Sequence, residues 1–244
     1  MYALLKKEIN SFLNSLIGYI VITVFLITIS LFLWIFPDEN LNILESGYAT
    51  LDALFSITPW VYLFLVPAVT MRLFSEEKKT GTIELLLTKP LTETQIVLSK
   101  YLSGVILVFI SLLPTWIYYF TIYHYAFPKG NVDSGSIWGS YAGLLLLGAV
   151  FVSIGLFASA FADNQVVAFI IAFFLCLISF KGFESLAALT QQGWINNLLA
   201  SLSLNAHYIS MSRGVIDTRD VVAFLSVIAL FFILTKIKLE SRKW

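Results

Sequence analysis

Apolar side chains in this chain are gathered into long unbroken runs instead of lining one face of many short elements. The runs lie over about 17–36, 54–73, 99–123, 137–162, 164–182 and 220–238. Roughly 20 apolar residues cross the hydrocarbon of a bilayer as a helix, so each run predicts one transmembrane helix. The fold class this implies is an all-α integral membrane protein with six spans. The strictly apolar cores of the last two, Asn164 to Phe180 and Val221 to Thr235, are short. Lys236 and Lys238 lengthen the sixth if their stems run along lipid and their amines reach the headgroups.

Ahead of the first run, Tyr2, Leu5, Ile9, Phe12, Leu13 and Leu16 recur at helical spacing, and Lys6, Lys7, Asn10 and Asn14 take the other positions. The pattern predicts an amphipathic helix over 1–16 that lies in the interface and turns into span one. The plainer alternative is the basic start of a signal anchor. The uncharged run from Ile9 to Phe36 exceeds a secretion-signal core and no small-x-small cleavage site follows it, so it is read as a permanent span.

Between spans two and three the pattern changes to a charged island over 72–90. Gly81 breaks it, and Ile83, Leu86 and Leu87 then share one helical face at i, i+3 and i+4. Pro90 ends that short helix. Thr92 with Gln95 forms a capping-box pattern that starts the helix leading into span three. Two readings follow: a short helix whose apolar stripe fits a groove on a partner, or a solvated loop whose charges fix topology.

Composition agrees with the membrane class: 59% of residues are hydrophobic and 12% charged. Basic residues accumulate on the cytoplasmic side. With the N-terminus inside, that side holds Lys6, Lys7, Arg72, Lys78, Lys79, Lys89, Lys100, Lys236, Lys238, Arg242 and Lys243, against only Lys129, Lys181, Arg213 and Arg219 outside. Both termini and the island are therefore expected in the cytoplasm. The first external loop, 37–53, is acidic through Asp38, Glu39, Glu45 and Asp52 and has no basic residue. The zero net charge sums opposed faces, and no basic patch with interleaved aromatics suggests nucleic acid. No internal repeat is apparent, so one membrane unit over 1–244 is the economical reading.

Catalytic patterns fail when tested. Glu76-Glu77 resembles the opening of a paired-glutamate protease motif, but the arginine needed four positions later is replaced by Gly81. There is no Gly-x-Ser-x-Gly elbow. His124 and His207 lack metal spacing and are read as interfacial packing residues. Cys176 has no second cysteine to pair with. A Gly-x-x-x-x-Gly-Lys-Ser/Thr phosphate loop is absent, so the chain does not cradle ATP in that manner. The span interiors carry no midplane Asp, Glu, Lys or Arg, which disfavours an ion-coupled carrier. Pro59, Pro67 and Pro114 can kink spans two and three, and Gly139, Gly143, Gly148 and Gly155 permit close helix contact in span four. Ser30, Thr115, Ser153 and Ser159 could line a path, but serine and threonine in membrane helices usually bond backward to their own backbone, so no substrate residue is assigned. Phe183 to Ser212 mixes apolar clusters with Gln191-Gln192-Gly193 and Asn196-Asn197, which predicts short amphipathic or re-entrant helices packed into the outer leaflet.

Together these features resemble the permease subunits of ABC transporters of the ABC-2 type. That family has six spans, an interfacial N-terminal elbow helix, a cytoplasmic coupling helix between spans two and three, and re-entrant external helices before span six. The stretch Phe74-Ser75-Glu76-Glu77-Lys78-Lys79-Thr80-Gly81-Thr82-Ile83-Glu84-Leu85-Leu86-Leu87-Thr88-Lys89-Pro90 looks like its cytoplasmic signature, and Ala162-Asp163-Asn164-Gln165-Val166-Val167-Ala168 like its second cytoplasmic turn. More narrowly, Met1-Tyr2-Ala3-Leu4-Leu5-Lys6-Lys7-Glu8, Ala68-Val69-Thr70-Met71-Arg72 and Ser212-Arg213-Gly214-Val215-Ile216-Asp217-Thr218-Arg219-Asp220 are similar to the gliding-motility-associated permeases of Bacteroidetes.

The resemblance implies a multi-pass subunit of the bacterial inner membrane, with the elbow helix over 1–16, the coupling region over 74–98 and the re-entrant region over 183–219. It implies no enzymatic activity or cofactor in this chain, since ATP and Mg would be bound by a separate ABC ATPase. A further partner is implied: a second membrane subunit with a large external domain, or a second copy of the chain. Carried over by position, the ATPase-docking residues are Glu76, Glu77, Thr80, Gly81, Thr82, Ile83, Glu84, Leu85, Leu86, Leu87, Pro90, Asp163 and Asn164. The rival readings are a structural membrane anchor and an ion-coupled carrier.

Overall fold

The computed structural model describes residues 1–38, 41–88, 90–189 and 193–241, with Leu85 and Leu87 described by their backbone alone. Glu39, Lys89, Gln191, Gln192, Arg242 and Lys243, used above for topology or patterning, lie outside the described residues, as do the side chains of Leu85 and Leu87.

Every regular element among the described residues is a helix. In order they are α1 (Tyr2–Leu13), α2 (Leu16–Trp34), α3 (Asp52–Thr70), α4 (Arg72–Lys79), α5 (Ile83–Leu87), α6 (Glu93–Leu112), α7 (Trp116–Tyr125), α8 (Ser134–Phe161), α9 (Gln165–Leu177), α10 (Phe183–Leu189), α11 (Gly193–Leu202), α12 (Leu204–Ser212) and α13 (Thr218–Glu240). Among the described residues six segments are long and apolar enough to cross a membrane: Leu16–Trp34, Asp52–Lys79, Glu93–Tyr125, Ser134–Phe161, Gln165–Leu189 and Thr218–Glu240. The sequence-derived runs are all recovered. Their ends move because helices extend to polar caps that hydropathy ignores. Asp133 accepts from Ser136 N at 3.2 Å, Asn164 from Val166 N at 2.9 Å and Asp217 from Arg219 N at 2.9 Å. The fifth span gains length through a π-helical turn, Ile178–Gly182, that joins α9 to α10. The sixth reaches Glu240, and Lys238 sits with its amine 5.1 Å from the centre of the Phe161 ring.

α8 is the central helix, with 78% of its most apolar window buried, and α3, α6, α9, α12 and α13 pack around it. Its small residues make this possible. A methyl group built on Gly155 would stand 2.0 Å from Thr70 Oγ1, and one on Gly148 2.8 Å from Val108 Cγ1. By contrast α2, α9 and α13 carry apolar stripes facing outward. Examples are Ile17, Ile20, Val24 and Ile27 on α2, Val166, Ile170 and Phe174 on α9, and Val222, Leu225 and Ile233 on α13. In water such area would be strongly unfavourable; it is the surface expected against lipid.

The prolines act in two ways. Pro59 and Pro67 sit buried inside an uninterrupted α3. Pro114 lies in a 3₁₀ turn, Leu113–Thr115, that separates α6 from α7. Ser30, Thr115 and Ser153 do bond backward, to Leu26 O, Leu112 O and Val150 O. Ser30 and Thr115 also meet the Tyr118 and Tyr141 hydroxyls at 2.6 and 3.1 Å, and Ser159 bonds across helices, as described below.

Leu4 of α1, Leu73 and Phe74 of α4, Ile83 and Leu86 of α5, Ile96 and Val97 of α6, Leu156 and Ala160 of α8, and Leu239 of α13 form one apolar cluster. The N-terminal helix, the charged island, the end of α8 and the end of α13 are thereby gathered at one end of the bundle. α10, α11 and α12 lie toward the other end. There the Tyr208 hydroxyl donates to Phe55 O at 2.8 Å and Ser136 to Ser212 O at 2.7 Å.

Candidate functional site

The charged island forms a structured cap. α4 continues α3 beyond Met71, because nothing between 70 and 79 interrupts helical spacing, and stops at Gly81, whose φ of +69° is a left-handed conformation natural to glycine. α5 follows directly. α6 then starts through the predicted capping box. Thr92 N donates to Gln95 Oε1 at 3.2 Å, and Thr92 Oγ1 accepts from Gln95 N at 3.3 Å.

The polarity of α5 corrects one expectation. Ile83 and Leu86 turn inward, 5% and 6% exposed, and pack on the apolar cluster at this end. The stripe read as facing a partner is therefore committed, at those two positions, to the chain's own core. An isolated five-residue helix would not persist in water; burial of this stripe is what holds it. The face left outward is polar: Lys79, Thr80, Gly81, Thr82, Glu84, Thr88 and Pro90 are exposed. Glu76 is half-buried and pairs with Arg72 at 3.0 Å.

Beneath this face lies a feature that topology counting missed. Lys100, assigned above to the cytoplasmic flank, has no solvent exposure. Its Nζ lies 2.9 Å from Glu8 Oε1 and 3.0 Å from Glu77 Oε2, donates to the Leu73 carbonyl, and stands 5.0 Å from the centre of the Phe74 ring. Lys7 joins from the rim at 3.1 Å from Glu77 and 3.6 Å from Glu8. Partial burial of Lys7 works against its charge, but the carboxylates of Glu8 and Glu77 outweigh it and raise its pKa. Three helices, α1, α4 and α6, are thus locked by two carboxylates and two ammonium groups. Desolvating a lysine is affordable only with such partners. A lysine within reach of Glu8 and Glu77 could not be read from periodicity, since the three residues lie in separate elements. Glu77, placed among the docking residues by position, is 8% exposed and belongs to this lock.

A second junction ties α4 to the turn after α8. Lys78 donates to Ala160 O at 2.6 Å and pairs with Asp163 at 3.2 Å. Ser159 Oγ accepts from Phe74 N at 2.9 Å and Ser75 N at 3.1 Å, and donates to Met71 O at 3.0 Å. The amides near the start of α4 are satisfied in this way. Asp163 and Asn164, both exposed, are thus brought to the same end as the exposed face of 79–84, although 80 residues of chain separate them.

This geometry is that of a polar platform seated on a helical bundle. A family model described as ABC-2 family transporter protein matches residues 2–239. The chain belongs to that family. Its members are membrane subunits of ABC transporters, which with six apolar helices makes this a multi-pass membrane protein. No match was found among curated proteins.

Proposed function

We propose that this protein is the permease subunit that transmits ATP hydrolysis by a separate ABC ATPase to the membrane pathway, and that the platform is where the ATPase docks. The observation that carries the reading is the platform itself: an exposed polar face whose helix α4 is locked through buried charges to α1 and α6. A surface meant to pass on a push must not deform locally. In this reading Glu76, Thr80, Gly81, Thr82, Glu84, Pro90, Asp163 and Asn164 meet the ATPase. Glu77, Ile83 and Leu86 brace them from below, and α5 with its flanks is the coupling helix. α1 is the elbow helix, and α10 to α12 are the re-entrant region. No cofactor is assigned to the chain; ATP and Mg belong to the ATPase.

The mechanism follows from linkage. Closure of the ATPase dimer shifts the permease only if the platform contacts the closed and open states with different free energy. The displacement then reaches α3 through α4, which continues it, and alters the spacing of the second and fifth spans across the subunit interface. That interface is formed with a second membrane subunit bearing a large external domain, or with a second copy. The cytoplasmic position of both termini rests on the asymmetry of lysine and arginine, and the inner-membrane location on the resemblance to the permease family. A role in gliding motility or protein secretion rests on the sequence blocks at 1–8, 68–72 and 212–220.

Glu84→Lys tests the docking face without disturbing the core, because Glu84 is exposed. The permease should retain its melting temperature in detergent yet lose ATPase recovery or stimulation of hydrolysis. Unchanged stimulation would overturn the assignment. An anchor without transport predicts that the cellular phenotype survives a hydrolysis-dead ATPase; the present reading predicts its loss.

A further inference from the structure

At the end of the bundle away from both termini, His207 of α12 was expected to be a packing residue, but both of its ring nitrogens are engaged. Nε2 lies 2.8 Å from the Ser201 carbonyl of α11, and Nδ1 lies 2.7 Å from Asp220 Oδ1 in the first turn of α13. A backbone carbonyl only accepts, so Nε2 carries hydrogen. Nδ1 faces a carboxylate oxygen at hydrogen-bond distance, a contact that is attractive only with a second proton between them. Neutral histidine facing an ionised Asp220 supplies one hydrogen for two acceptors and leaves one contact repulsive.

We propose that His207 and Asp220 together form a proton-binding site, and that the bound proton docks α11 onto the bundle. Three observations locate the effect. Asp220 is 6% exposed, and its Oδ2 has no hydrogen-bond partner among the described residues, so its charge is tolerable mainly as a partner of imidazolium. It also sits where the helix dipole favours a carboxylate, which puts the proton on the ring. α11 has no buried residue, and the His207 bond to Ser201 is a polar side-chain contact that ties its last turn to α12. When the proton leaves, the hydrogen that remains on the ring goes to the carboxylate, and the Ser201 carbonyl is released.

α11 has no ionisable side chain, and Ser136 and Ser140 of α8 donate to Ser212 O of α12. Beside α12, Glu184 is engaged by Lys181 at 2.7 Å and Asn205 at 2.7 Å. On α13, Asp217 caps Arg219 N, and the Arg219 side chain is exposed; Arg213 ends α12. Docking retains a proton that undocking gives up, so by linkage it is strongest at low pH and weakens as pH rises.

Hydrogen exchange of residues 193–202 in the full chain, held in lipid nanodiscs and corrected for intrinsic rates, tests this from about pH 5 to about pH 9. Wild type should lose protection as pH rises, with α8 unchanged as an internal control. Asp220→Asn should stay protected throughout, because the amide donates to Nδ1 while Nε2 keeps its hydrogen. His207→Ala should be unprotected throughout. Protection that ignores pH in the wild type, or a pH dependence that persists in Asp220→Asn, would overturn the proposal.

Discussion

A lysine with no solvent exposure persists only because two carboxylates, a carbonyl and an aromatic face replace its hydration. Lys100→Met removes the buried positive centre and leaves Glu8 and Glu77 with only Lys7 at the rim, and should cost about 3–5 kcal/mol in an unfolding titration. Lys7, whose side chain is 60% exposed, belongs to the same cluster at its rim, and Lys7→Met should cost less than about 1 kcal/mol. Equal costs would mean that burial does not set the energetics here. Packing gives a second residue-scale prediction. Gly155→Ala forces a methyl into Thr70 and should destabilise by about 1–3 kcal/mol, read as a lowered melting temperature. The glycines of span four were legible as contact points from their spacing alone. The lock was not, because Glu8, Glu77 and Lys100 each look like ordinary flanking charges until three helices converge.

Elements were legible wherever a local rule decides them. The capping box at Thr92, the break at Gly81 and the spans follow from short-range chemistry, and each appears in the structure. Thr92→Ala should cost about 1 kcal/mol by leaving the first turn of α6 uncapped, measurable by the same unfolding titration. What local pattern misjudged is the direction α5 faces. An apolar stripe reports that a helix is covered, and the cover here is the chain's own α4, α6 and α8. Replacing Leu86 would therefore confound docking with stability, whereas Thr82 and Glu84 isolate docking.

At the scale of the molecule, the burial of α8 against the exposure of α2, α9 and α13 describes a bundle organised around one helix, with apolar surface left for lipid or another subunit. Topology is checked by cysteine labelling, for which buried Cys176 gives a silent background. Thr82→Cys should react with an impermeant thiol reagent only in opened vesicles, and Tyr48→Cys in intact cells; the reverse pattern would invert the protein. The central claim is that this end of the bundle receives an ATPase. Affinity purification of the chain from native membranes in mild detergent, with mass-spectrometric identification of partners and an ATP hydrolysis assay, tests it most directly. The account predicts recovery of a nucleotide-binding subunit whose hydrolysis responds to changes at Glu84. Recovery of no such subunit, under conditions that keep other membrane complexes intact, would contradict it.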